Sequence, residues 1–218
     1  MLRTETVALG IGLLAQLLFS SRIVLQWVQS ERAKRVLVPT LFWKISLISS
    51  LMMIGYGMLR HDPVILGAQI ISYGIYIRNL QLLGSWRKLP QVFRVGAYVV
   101  PVLALGWFVV GTPHFSLRAM LHSPIPGGWL VLGAIGQSVF LLRFVYQWLY
   151  SERKGESVLP LGFWVVSLAG SVLILAYALL RNDVVLLLGN AFGTVVYARN
   201  IVLMRRERQL VPPTKVPQ

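Results

Sequence analysis

The sequence predicts an all-α membrane protein of seven transmembrane helices. They form two parallel three-helix bundles joined by a spacer helix (3+1+3), with the N-terminus outside and the C-terminus inside. Three observations predict this. Of the 218 residues, 56% are apolar and 13% charged, against roughly 25% charged in a soluble domain, and the mean hydropathy is +0.68. Seven apolar stretches approach the ~20 residues that cross a bilayer as a helix. One block of sequence recurs at a constant offset of 121 residues. Composition excludes a disordered chain and leaves too few charges to cover a soluble globule. The net charge of +14 would suit a nucleic-acid binder but does not account for the apolar bulk, so no nucleic-acid partner is expected. The chain has no cysteine, which removes disulfides, thiol catalysis and Cys-ligated metals.

The stretches are 7–29, 38–59, 63–83, 96–111, 128–149, 158–180 and 184–204. The first follows Arg3 and has the look of a signal peptide, but its pattern recurs mid-chain, where none can stand. The second and sixth open after Pro39 and Pro160. The third opens on Asp62–Pro63, an N-cap followed by proline at the first helical position, and Asp183 repeats the cap before the seventh. The fourth is the shortest and holds Pro101. These stretches divide the chain into a first repeat (7–83), a basic linker with spacer helix and outer loop (84–127), a second repeat (128–204) and a basic tail (205–218).

Within the repeat, Gln16 meets Gln137, Arg22 meets Arg143, and Gln26–Trp27 meets Gln147–Trp148. Ser30–Glu31–Arg32 meets Ser151–Glu152–Arg153, Phe42–Trp43 meets Phe163–Trp164, and Ser46, Leu47 and Ser50 meet Ser167, Leu168 and Ser171. Tyr56 meets Tyr177, Arg60 meets Arg181, Asp62 meets Asp183, and Tyr76, Arg78 and Asn79 meet Tyr197, Arg199 and Asn200. Fusing two three-span units directly would invert the second; one added helix, 96–111, restores its orientation. The side holding 30–37, 84–95, 150–157 and the tail carries twelve basic residues, and the other side carries four. The positive-inside rule places the former in the cytoplasm.

Ser46, Ser49 and Ser50, with Ser167, Gly170 and Ser171, read as close helix-packing faces, as do Gly189 and Gly193. Arg60 and Arg181 suit helix C-termini. Glu31 and Glu152 each precede an arginine at the helix end and read as surface ion pairs. Trp27, Trp43, Trp148 and Trp164 read as an interfacial aromatic belt. His61, His114 and His122 have no metal-ligand spacing, and no metal or cofactor is expected.

Five cations remain inside the spans: Arg22, Lys44, Arg78, Arg143 and Arg199. No Asp or Glu lies in any span. An unpaired central charge costs about 2.5–3.5 kcal/mol on insertion scales. Lys44, whose repeat partner is Val165, suits snorkelling. The four arginines recur in both repeats, each with an amide nearby, and guanidinium matches phosphate oxygens in a fork. The expected ligand-binding set is therefore Arg22, Gln26, Arg78, Asn79, Arg143, Gln147, Arg199 and Asn200. Candidate cavity lining is Gln16, Tyr56, Gln69, Tyr76, Gln137, Tyr177, Asn190 and Tyr197. With no carboxylate in the spans, the balancing anion is expected from outside the chain, as a phosphorylated lipid.

The run Gln-Trp…Ser-Glu-Arg, Phe-Trp…Ser-Leu…Ser, Tyr…Leu-Arg-x-Asp, Tyr-x-Arg-Asn occurs twice over about 150 residues. It resembles the lipid A biosynthesis N-terminal domain family, which is distantly similar to SWEET and PQ-loop transporters. The resemblance implies a multi-pass protein of the bacterial inner membrane, linked to lipid A or polyprenyl-phosphate sugar chemistry. These 218 residues carry no glycosyltransferase domain, so any synthase activity falls to a partner and the chain is not expected to be an enzyme. Mid-helix Pro-Gln hinges are absent. The leading expectation is a protein that binds a phosphate-bearing glycolipid and translocates or presents it. The alternatives are a SWEET-like facilitator of small sugars, with a wet cavity at Gln16, Tyr56, Tyr177 and Asn190, and a non-catalytic membrane subunit of a glycosyltransferase.

Overall fold

The computed structural model describes residues 2–59, 63–111, 127–181 and 184–210. Among them are seven α-helices and no strand: α1 (Leu2–Ala33), α2 (Thr40–Leu59), α3 (Pro63–Leu82), α4 (Gln91–Gly111), α5 (Gly127–Lys154), α6 (Leu161–Arg181) and α7 (Val184–Leu210). Each corresponds to one apolar stretch. The largest departure is α4, which begins well before residue 96. A 3₁₀ turn, Trp86–Lys88, ends at Leu89, whose extended backbone (φ −79°, ψ 147°) is what a following proline imposes. Pro90 then opens α4, accepting a hydrogen bond from the Arg94 amide at 3.1 Å.

The helix ends follow the repeat. α1 and α5 run past their apolar stretches and stop where Lys34 (φ 55°) and Gly155 (φ 69°) turn left-handed, the usual helix-ending conformation. After Pro39 and Pro160, α2 and α6 start with matching bonds, Phe42 N–H to the Pro39 carbonyl and Phe163 N–H to the Pro160 carbonyl, both 2.9 Å. Pro63 is the first residue of α3. Asp62, Asp183, Arg60 and the three histidines lie outside the described residues, as does the Arg181 side chain.

In the first repeat α2 packs on both α1 and α3; in the second, α6 packs on both α5 and α7. The repeats meet reciprocally, α3 against α5 and α7 against α1, while α4 rests on α2. This exchange of equivalent helices is what a two-fold relation between the repeats produces.

Polarity runs inside-out. Leu13, Leu17, Val102, Leu103 and Trp107 are largely exposed, whereas Arg22, Gln26, Asn79, Arg143, Gln147 and Asn200 are buried. Water as solvent would select the reverse; hydrocarbon permits it. Three helices, α1, α2 and α6, are long and apolar enough among the described residues to cross a membrane. The chain is thus a membrane-associated helical protein.

Ser46, Ser49, Ser50, Ser167 and Ser171 are fully buried, as helix-packing residues should be. Gly170 admits a ring: a Cβ there would lie 2.7 Å from Phe140 Cδ2. The aromatic-belt reading is corrected for Trp43 and Trp164. Both are buried, facing Tyr76 and Tyr197 at 5.9 and 6.2 Å between ring centroids. Trp27 and Trp148 are only partly buried.

Candidate anion-binding site

The interface between repeats is layered. α1 and α5 bring Arg22 and Arg143 to the centre, Gln26 and Gln147 one turn further on, and Glu31 and Glu152 at the helix ends.

In the central layer Arg22 is 4% exposed and Arg143 is 6% exposed. Each guanidinium donates to one neutral acceptor: Arg22 Nη1 to the Ser46 hydroxyl, Arg143 Nη1 to the Tyr197 hydroxyl at 3.1 Å. Their other neighbours are rings. Phe19, Phe42 and Tyr76 surround Arg22 at 4.5, 5.1 and 5.4 Å from Cζ to ring centre. Phe140, Phe163 and Tyr197 surround Arg143 at 3.8, 5.6 and 5.5 Å. The two sets are equivalent at the 121-residue offset. Phe144 serves both arginines, at 5.3 Å from Arg22 and 4.9 Å from Arg143; its repeat partner is Ile23.

A narrow cleft with room for about one water lies between the arginines. It is lined by Arg22, Ile23, Gln26, Phe42, Arg143, Phe144, Phe163, Trp164 and Tyr197. Four buried donors here have no acceptor: Nε of Arg22 and of Arg143, and the indole N–H of Trp43 and of Trp164. Among the described residues no carboxylate forms an ion pair with either central arginine. Stranded donors of one sign around two buried cations are what an acceptor-rich anion would satisfy.

The second layer is a pair of reciprocal amide clasps across the repeats. Gln26 Nε2 donates to Asn200 Oδ1 at 2.9 Å and Asn200 Nδ2 returns to Gln26 Oε1 at 3.3 Å. Gln147 Nε2 donates to Asn79 Oδ1 at 2.8 Å and Asn79 Nδ2 returns to Gln147 Oε1 at 3.1 Å. Both glutamines also hold the following loop, through Ser30 and the Leu37 carbonyl or Ser151 and the Val158 carbonyl. Ser157 adds a bond to Asn79 Oδ1 at 2.7 Å; its repeat partner, Val36, has no hydroxyl.

The third layer holds ion pairs between repeats. Arg78 Nε donates to Glu152 at 2.8 Å and Arg199 Nε to Glu31 at 2.9 Å, each joined by a second bond from Nη2. Glu31 and Glu152 lie beyond the apolar stretches 7–29 and 128–149. The bonds from Arg199 and Arg78 hold their carboxyls below the usual carboxylate range.

Two expectations are corrected here. A carboxylate outside the spans reaches Arg78 and Arg199, so an external anion is not needed for those two. It reaches them because α1 and α5 stay helical past their apolar runs, which also takes Glu31 and Glu152 away from Arg32 and Arg153. Asn79 and Asn200 do not support the arginines beside them; they clasp glutamines of the other repeat.

Of the candidate lining residues, Tyr197 lines the cleft and Tyr76 covers Arg22. Gln16 is exposed. Tyr56 packs over Gly12, Gln69 Oε1 accepts from Ser50 at 2.9 Å, and the Asn190 carbonyl accepts from Ser171. The cleft includes none of these, nor Tyr177; the Gln137 side chain lies outside the described residues. Sequence reasoning missed Phe19, Phe42, Phe140, Phe144, Phe163 and Ser46 as site residues. The recurrence of Phe42 and Phe163 beside recurring arginines was the available signal.

The sequence model of the family described as "Lipid A Biosynthesis N-terminal domain" matches twice, at residues 11–81 and 132–202. The chain belongs to this family. The two copies are offset by the repeat interval, so each supplies one central arginine. Similar proteins include the lipid-A-disaccharide synthase of Chlamydia muridarum, 33% identical over 90% of this chain and 34% of that protein. Those of Chlamydia felis (32%, over 92% and 33%) and Chlamydia pneumoniae (30%, over 93% and 34%) match similarly. The chain spans about a third of the length of the curated relatives it matches. No solved structure shows significant similarity to it.

Proposed function

We propose that this chain is a multi-pass protein of the bacterial inner membrane, with the 3+1+3 layout, N-terminus outside and C-terminus in the cytoplasm. It binds a phosphate-bearing glycolipid, a lipid A precursor or a polyprenyl-phosphate sugar, and translocates it or presents it to a glycosyltransferase. The observation that carries the reading is the pair Arg22 and Arg143: buried, caged by rings, unpaired with any carboxylate, and each left with an unsatisfied Nε. A buried cation without a counter-ion is costly, so the site calls for an anion. Arg22 lies roughly 10 Å along its helix from the cytoplasmic end of its apolar stretch at residue 29, within reach of a lipid head.

The role in lipid A biosynthesis follows from the family. Relatives three times longer carry the name lipid-A-disaccharide synthase, which favours presentation of lipid to such an enzyme, with the present chain as its non-catalytic membrane part. The cationic cytoplasmic face gathers anionic lipid. The amide clasps and ion pairs close the cleft on that side.

The test is reconstitution of the Arg22→Gln/Arg143→Gln double variant in proteoliposomes. Wild-type protein is expected to retain a phosphorylated glycolipid, and the variant to lose it while keeping its helical content. Unchanged lipid binding and flipping in the variant would overturn the proposal.

A further inference from the structure

The central layer also carries a charge count. Arg22 and Arg143 flank one ring, Phe144, with Cζ atoms 5.3 and 4.9 Å from its centre. The two guanidiniums are therefore no farther apart than the sum of those distances, and both line the same cleft. Their hydrogen-bond acceptors, Ser46 and Tyr197, are neutral. Ring faces attract a cation, but they do not cancel its charge. The buried layer thus carries two positive charges and nothing negative among the described residues.

We infer that the ligand presents two negative charges in one head, as a phosphomonoester or diphosphate, and that lipids with singly charged phosphodiester heads are discriminated against. This rests on the phosphate-lipid reading of the same site and narrows it, setting aside a polyprenyl-phosphate sugar, which is itself a singly charged phosphodiester. A diester would leave one buried cation unpaired, which is the expensive outcome in a low-dielectric interior. A phosphomonoester, with a second pKa near 6, is a dianion above neutrality and leaves neither unpaired. The donors agree. Two Nε–H groups and the Trp164 indole N–H lack acceptors beside the cleft, and a monoester offers three terminal oxygens where a diester offers two.

The experiment compares two lipids of nearly equal size. The full chain is taken from phosphatidylcholine nanodiscs doped equally with phosphatidic acid or phosphatidylmethanol at pH 8, and retained lipid is counted by native mass spectrometry. Phosphatidic acid is expected to be retained at least about tenfold over phosphatidylmethanol. Arg143→Gln halves the site's charge and brings that ratio near one. Arg22→Lys keeps the charge and keeps the preference, which guards against a Gln variant that fails to fold. Equal retention of both lipids, still dependent on the arginines, would overturn the dianion inference and leave the phosphate site standing. Equal retention without that dependence would overturn both. Inorganic phosphate is expected to leave bound phosphatidic acid in place; displacement at equimolar phosphate would assign the site to a soluble anion and overturn the lipid reading.

Discussion

Four arginines recur inside the two repeats, and the fold treats them in two ways. Arg78 and Arg199, half-exposed, each meet a carboxylate near a helix end of the other repeat in a two-bond fork. Arg22 and Arg143, buried two layers deeper, meet four aromatic rings apiece, in equivalent sets of three plus a shared Phe144, with one neutral hydroxyl each. The first pair has its counter-charge within the chain. The second is incomplete by one anion. Residue type alone does not distinguish a structural cation from a binding one. The distinction lies in whether the chain supplies its counter-charge.

The largest expected effect separates the two pairs directly. Arg143→Gln removes a charged partner of a bound phosphate, a loss of roughly 2–5 kcal/mol in ligand affinity. Without ligand, the same variant should melt higher than wild type, because an uncompensated buried charge is gone. Arg78→Gln should leave ligand retention near wild type. Equal losses of ligand from both variants, measured by lipid retention and thermal melting in detergent, would erase the comparison.

Next come the amide clasps that separate the layers. Gln147→Leu strands Asn79, with an expected cost of roughly 1–3 kcal/mol. Adding Asn79→Leu should recover part of that loss, since neither amide is then left alone. Strict additivity in the melting temperatures would argue that the clasp is not a coupled unit.

Phe144→Ile makes the second repeat match the first at this position. It removes the one ring serving both cations, and cation–π contacts in desolvated sites are worth about 2 kcal/mol. Ligand retention should fall by less than in Arg143→Gln. A loss of retention as large as that of Arg143→Gln would mean that Phe144 contacts the ligand itself.

The smallest effect belongs to the half-exposed ion pairs. Arg199→Gln with Glu31→Gln should shift melting less than any change above, and high salt should remove the difference. The folded-state carboxyls are depressed, so their stabilisation is present above the ordinary carboxylate range and lost as pH falls through the lowered values. A titration of melting temperature checks this: as pH falls through the acid range, the wild type should lose stability relative to the Arg199→Gln/Glu31→Gln variant, and parallel curves for the two would contradict it.

The seven helices and the repeat were legible because apolar length and a constant offset are local signals. So was the helical face that joins Arg22 to Gln26, one turn apart. What the sequence did not disclose was which residues meet across repeats. Glu31 lies 168 positions from Arg199 and Gln26 lies 174 from Asn200, and nothing in spacing links them. The five-fold set of span cations therefore looked uniformly unpaired, when two reach carboxylates at the helix ends. Trp43 and Trp164 misled for a related reason: an aromatic near a span end is equally compatible with a belt and with a core, and packing against Tyr76 and Tyr197 decides it.

The central claim, that Arg22 and Arg143 await a phosphate, is tested most directly by a cryo-EM map of the protein in nanodiscs containing phosphatidic acid. The account predicts phosphate density between the two guanidiniums, within hydrogen-bonding distance of both Nε atoms, while Arg78 and Arg199 remain on Glu152 and Glu31. Water alone between the guanidiniums, or phosphate density on Arg78 and Arg199 instead, would contradict it.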